Sequence, residues 1–258
     1  MNEPAKLNHE KLLVYPLLLQ FLAEANEHAC GWGNIHAISD HYSRASEGIL
    51  LSLAEASRSK QAGLKQTSVD CSLGSMLECA ACFDIAVAKG IMNSLSCRNL
   101  KQRLATIYKM TVGLKKSWQE MELREDASAH MQSYVFLHEG LAAYKLGIQV
   151  IQELTVGGIA ESLSRPHFRR IDEAATAIIL HIAEGNGRFS DLDQARFLDM
   201  ANQAVTKLSV RLDLCALKGE INDRIVPTIK GLLVRLAGAT AKLAARKRGD
   251  TVTKVTYA

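Results

Sequence analysis

The chain has 258 residues, 48% of them hydrophobic, with 31 basic and 27 acidic side chains and a formal charge of +4. That hydrophobic content excludes wholesale disorder, and so small a net charge does not by itself imply a nucleic-acid partner. Aromatic residues make up only 5%, so alanine and leucine fill the periodic segments, as in packed helices.

In chain order, Leu12 to Glu27 has a mostly apolar face and ends near Gly31, Trp32 and Gly33. Ser39 or Asp40 suits the cap of a second helix running to about Ser57, with Ile49, Leu50 and Leu53 inward. A third helix spans about Gln66 to Lys89 and stops at Gly90, and a fourth runs from about Cys97 to Trp118. The second half repeats this plan. Its first helix covers about Tyr134 to Leu154, broken by Gly157 and Gly158, and its second starts near Pro166 and ends at Gly185, Asn186 and Gly187. A cap at Ser190 or Asp191, with Asp193 in the first turn, opens the third helix. There Phe197, Met200, Ala201, Ala204, Leu208, Leu212 and Cys215 recur at steps of one, three and four, a helical core stripe. Pro227 lies near the start of the last helix, which continues to about Ala245.

The repetition is visible in the residues themselves at an offset of 129. Tyr15 matches Tyr144, Ile49 matches Ile178, and Leu53, Ala54 and Glu55 match Ile182, Ala183 and Glu184. Asp70 matches Asp199, Asp84 matches Asp213, and Lys89 with Gly90 recurs as Lys218 with Gly219. A repeated unit must be built the same way twice. The expected architecture is therefore all-α: two tandem antiparallel four-helix bundles related by internal duplication. The first, degenerate bundle covers residues 1–118 and the second covers 134–248. Residues 119–133 form a linker or extend the flanking helices, and 249–258 are a short tail.

The N-terminus lacks the charged-then-apolar pattern of a signal peptide, and no apolar run approaches the roughly 18 residues of a membrane span. A cytoplasmic location and no membrane partner follow as expectations. Six cysteines are too few for a disulfide scaffold of this size.

The stretch His181-Ile182-Ala183-Glu184-Gly185-Asn186-Gly187-Arg188, followed by Ser190, Asp193, Arg196, Phe197 and Leu198, resembles the signature of a bacterial four-helix-bundle family encoded within 23S ribosomal-RNA intervening sequences. His181 stands where that family usually has asparagine; Tyr144 and the late Gly219 also fit its pattern. The similarity covers nearly all of residues 137 to 245. The first half keeps Ala54, Glu55 and Arg58 but loses both glycines. Its third helix preserves the family's Gly-Ser-x-x-Glu element as Gly74, Ser75 and Glu78, where the second half has Gln203, Ala204 and Lys207. The family includes the accessory variability determinant of diversity-generating retroelements, an oligomeric basic bundle that binds a reverse transcriptase and its template RNA. The resemblance thus implies a bacterial accessory protein whose candidate partners are a reverse transcriptase, RNA and further copies of itself.

Read from the residues alone, the candidate polyanion surface is the pair of basic fourth helices. Between Asp84 and Glu120 lie seven basic residues and no acidic one; from Arg224 onward there are eight against Asp250 alone. Lys101, Lys109 and Lys116 recur at steps of eight and seven, with Lys115 adjoining. Arg235, Lys242 and Arg246 make a similar row, followed by Lys247 and Arg248. Such rows suit contacts to the backbone of RNA or DNA without base reading. A solvated helix face, or a protein-binding scaffold or oligomeric structural protein that ignores nucleic acid, is the alternative.

Glu184 and Arg188 are spaced as a helix-stabilising ion pair, as are Glu55 and Arg58. On that reading Gly185 and Gly187 permit a tight exit and the Glu184–Arg188 pair fixes the following helix; the alternative places Arg188 and Arg196 at a partner-binding rim or against phosphates. Cys79 and Cys82 form a CxxC in a helix and read as core positions, since they sit among Leu77, Ala80, Ala81 and Phe83 and Cys79 matches Leu208; with no second CxxC, a zinc site is not expected. Nothing pairs a nucleophile with a base, so neither catalysis, a metal nor a cofactor is expected.

Overall fold

The computed structural model describes residues 7–33, 36–119, 135–188, 190–222 and 224–249. Of the expected linker, Gln119 ends a described helix and residues 120–133 lie outside the described residues, as do Tyr134 and the tail after Gly249. The described elements are helical: α1 (Val14–Ala29), α2 (Ala37–Arg58), α3 (Ala62–Ala88), α4 (Ser94–Gln119), α5 (Ala142–Val156), the single-turn α6 (Ile159–Ser162), α7 (Arg165–Asn186), α8 (Asp191–Leu217) and α9 (Ile225–Arg248). Short 3-10 turns precede α1 and α5 at His9–Lys11 and Leu137–Gly140, and another follows α1 at Cys30–Trp32.

The helices pack in two clusters. In one, α2 lies along α3, α3 along α4, and α1 along α4 and α2; in the other, α7 lies along α8, α8 along α9, and α5 along α9 and α7. The clusters meet where α3 packs on α5 and α7. In the first cluster Trp32 meets Tyr42 edge-to-face at 5.3 Å and Phe83 at 6.2 Å, beside Phe21. The second cluster is filled by aliphatic side chains such as Ile178, Ile179, Ile182, Leu208 and Leu212.

α8 begins and ends 129 positions after α3. Their terminal turns also agree: Lys89 and Lys218 both have φ −84° and ψ −2°. Gly90 (φ +70°) and Gly219 (φ +67°) follow in the left-handed conformation that side chains resist. In each turn the glycine N–H and the next N–H reach back to carbonyls of the last helical turn, the Schellman arrangement.

Three expectations need correction. The start of α2 lies at Ala37, before Ser39, and its N-cap His36 makes no side-chain cap bond. The reason is remote: the Ala37 N–H donates to Asp172 Oδ2 at 2.9 Å, a cap supplied by α7 across the joint. The first helix of the second half begins at Ala142, because Leu141 is extended (φ −71°, ψ 131°) after the 3-10 turn. Finally, α3 is long and apolar enough to cross a membrane by length and composition, with 72% of its most apolar window buried. Scattered polar residues such as Asp70, Ser72 and Glu78 hide this from a search for an unbroken run. A helix that is apolar all round is a central core helix when others surround it, as α2, α4, α5 and α7 surround α3.

Candidate nucleic-acid interface

The repeated aspartates explain where the basic residues of the fourth helices point. Asp70 and Asp84 are fourteen positions apart on α3, close to one face, and both engage α4. Lys101 is buried and donates to Asp84 Oδ1 at 2.6 Å, with Glu139 Oε1 at 2.9 Å. Burial depresses its ammonium, but the carboxylates of Asp84 and Glu139 outweigh that and raise its pKa overall. Lys115 is buried too and donates to Asp70 Oδ1 at 2.5 Å. Both were expected on an outward row; both face inward and are neutralised. Lys109 and Lys116 remain exposed.

On α9, Lys230 pairs with Asp213 and Arg248 with Asp199, while Lys247 pairs with Asp191 at 2.9 Å. Arg235, Lys242 and Arg246 are exposed, as is Arg98 on α4. Arg103 of α4 is exposed too but pairs with Glu24, so the outward bases outside these pairs are Arg98, Lys109 and Lys116 on α4 and Arg235, Lys242 and Arg246 on α9.

The Glu184–Arg188 pair forms, and Arg188 also lies over the Phe197 ring at 4.7 Å. This pair sits in the joint between the clusters. A Cβ on Gly74 of α3 would lie 3.6 Å from the Glu184 side chain and 3.7 Å from the Arg188 guanidinium. A Cβ on Gly185 would come within 2.7 Å of Phe197, and one on Gly187 within 2.0 Å of Leu77 Cδ1. These glycines thus admit neighbouring side chains, and Gly187 admits one from the other cluster. The element kept by the first half (Gly74, Glu78) faces the element kept by the second (Glu184, Gly187, Arg188). Burial raises the Glu184 pKa, Arg188 opposes that, and Glu78 adds to it. Around Glu78, His41 Nδ1 lies at 3.2 Å. His181 is lowered by burial and then by His41, against Glu78. Arg196 is exposed, and Glu55 with Arg58 forms a 2.8 Å pair in solvent.

Sequence reading missed two polar clusters in this joint. In one, Tyr144 Oη donates to Asp84 Oδ2 at 2.8 Å, so Asp84, Lys101, Glu139 and Tyr144 form one network beside a cleft of about 530 Å³. In the other, buried Lys89 pairs with buried Asp172. Burial lowers the Lys89 pKa and Asp172 pulls it back up. The offset matches of Asp84 and Tyr144 signalled importance, but not that the two meet.

Cys79 and Cys82 are fully buried, which pushes both thiols well above their ordinary range and leaves them as core residues. Among the described residues, two other groups have donors close enough together for a metal: Asp84, His138 and Glu139, and His167, Cys215 and Glu220. Lys101 already takes the first pair of carboxylates. In the second, His167 Nδ1 lies 2.6 Å from Glu220, with the Lys218 ammonium 3.4 Å from the other ring nitrogen.

No protein-family model, curated protein or solved structure matches this chain.

Proposed function

We propose that the chain is two tandem antiparallel four-helix bundles acting as a non-enzymatic accessory protein that holds a nucleic-acid backbone along the outward basic rows of α4 and α9. The bundle reading is supported by the packing order, α1–α2–α3–α4 in one cluster and α5–α7–α8–α9 in the other, each returning to its first helix. One observation carries the binding reading: neither α4 nor α9 contains an acidic residue, and the carboxylates that approach them belong to other elements. The outward rows are each nearly in line along one helix face, spanning roughly 27 Å on α4 and 16 Å on α9 at about 1.5 Å per residue. Contacts of this kind fix a backbone and read no sequence. A reverse transcriptase as the partner protein, and RNA as the polymer, rest on the resemblance of residues 181–198 alone.

The test is anisotropy of labelled structured RNA, single-stranded RNA and duplex DNA titrated with nuclease-treated protein across a salt series. Replacing Arg235, Lys242 and Arg246 together by glutamine should weaken binding and shallow the salt slope by about two to three. Replacing Lys247 and Arg248, already paired to aspartates, should do less. Unchanged affinity in the triple variant, with its fold intact, would remove this surface from the reading.

A further inference from the structure

The joint inside the chain has two sides, and each side has a counterpart left uncovered at the opposite end of the molecule. On α3, Leu77, Ala81 and Ile85 are buried where the helix meets α5 and α7. Their counterparts 129 positions on, Thr206, Val210 and Leu214 of α8, are exposed, with Val210 at 52% and Leu214 at 50%; Leu217 nearby reaches 85%. The other side of the joint is the furrow between α5 and α7, where α3 sits and leaves a cavity of about 190 Å³ beside Lys89 and Asp172. The corresponding furrow between α1 and α2, lined by Leu19, Leu22, Tyr42, Ser43 and Leu50, is an open groove of about 790 Å³.

The polar network across the joint is duplicated in the same divided way. Asp84 and Lys101 approach from the first cluster, Tyr144 and Glu139 from the second. Asp213 with Lys230, and Tyr15 with Glu10, hold the same residue types at the matching positions. Asp213 and Lys230 are already paired, as Asp84 and Lys101 are. At the other end the turn before α1 is built like the turn before α5. The Leu7 N–H donates to Glu10 at 2.6 Å as the Phe136 N–H donates to Glu139 at 3.0 Å, and His9 meets Tyr15 at 4.7 Å as His138 meets Tyr144 at 4.7 Å. One complete network lies inside the chain, and the two halves of a second lie at its two ends.

We propose that the α8 face of one copy docks in the α1–α2 groove of a second copy, joining Asp213 and Lys230 to Tyr15 and Glu10 of that copy and repeating the internal joint between molecules. The charges favour it. Glu78 and Glu184 are like charges across the internal joint; their counterparts Lys207 and Glu55 are opposite, and Glu47 lines the receiving groove. The contact is heterologous, leaving one free face and one free groove after each addition, so it extends or closes into a ring. This inference is independent of nucleic-acid binding.

The experiment is light scattering of the full-length, nuclease-treated chain at micromolar concentrations, alone and with two exposed-site variants. Leu214→Glu disables the α8 face and Leu19→Glu disables the groove; unchanged thermal melts certify both folds. The unmodified chain should run as an oligomer and each variant as a monomer. Mixing the two variants should give a discrete dimer, because each retains the surface that the other lacks. A monomeric unmodified chain overturns the proposal whatever the variants do. So does an oligomer indifferent to Leu214→Glu, or a mixture that stays monomeric.

Discussion

α3 and α8 share length, register and terminal turn, yet α3 is covered on nearly every side while α8 presents Val210, Leu214 and Leu217 to solvent. The difference lies in what else packs there. α3 has α5 and α7 against its outer face; α8 has α7 on one flank and α9 on the other. Periodicity reports the side of a helix that faces its own cluster, and it is silent on whether a second cluster covers the opposite side. The same contrast divides the ion pairs. Lys101 with Asp84 lies under the second cluster, whereas Lys230 with Asp213, chemically identical, stands at the surface.

That contrast is broken most directly by Lys101→Met against Lys230→Met. The first leaves two mostly buried carboxylates without their cation and should cost about 3–5 kcal/mol in urea denaturation. The second removes a pair in solvent and should cost less than about 1 kcal/mol. Both belong on the Leu214→Glu background, so that loss of association does not enter the comparison. Equal costs would mean that the joint does not set the environment of the buried pair.

Much of the helix plan was legible because it is local. Gly90 and Gly219 stop their helices as C-terminal glycines should, and Ser190 caps α8. What escaped was supplied from a distance. The α2 start depends on Asp172, which is 135 positions from Ala37. The burial of Lys101 depends on Glu139, in the other half, as well as on Asp84. A stripe of lysines at steps of seven and eight looks the same whether or not a carboxylate waits beneath it. The glycines of the 181–188 motif were legible as necessary, and their reason, the approach of Leu77 and Phe197, was not.

A smaller effect tests how completely the joint region excludes water. His138 is buried with neither ring nitrogen hydrogen-bonded, and burial followed by the Lys101 charge lowers its pKa to about 3. The unfolded chain, with an ordinary histidine near 6.5, then binds the proton that the folded chain refuses. The contribution is fully present above about pH 6.5 and is lost as pH falls toward 3, by up to about 1.4 kcal/mol per pH unit. His138→Phe should flatten the pH dependence of unfolding by that amount between pH 6 and 4. An unchanged slope would show that water reaches the ring.

The smallest effect returns to α3 and α8, at their first turns. Ser190 accepts from the Asp193 N–H at 3.4 Å, and Asp191 and Asp193 place negative charge where the α8 dipole favours it. The matching position before α3 is Gln61, which makes no cap bond and has no acidic residue in the turn after it. Ser190→Ala should therefore cost about 0.5–1 kcal/mol, and Gln61→Ser should return a similar amount to α3. The gain at Gln61 is the sharper half of the test. Ala62, Gly63 and Leu64 of the first turn of α3 are exposed, so neighbours do not hold it and an added cap has fraying to prevent. A clear loss at Ser190 with no gain at Gln61 would locate the difference between the helices in their surroundings, whereas equal and opposite changes would assign the ends of both to local capping.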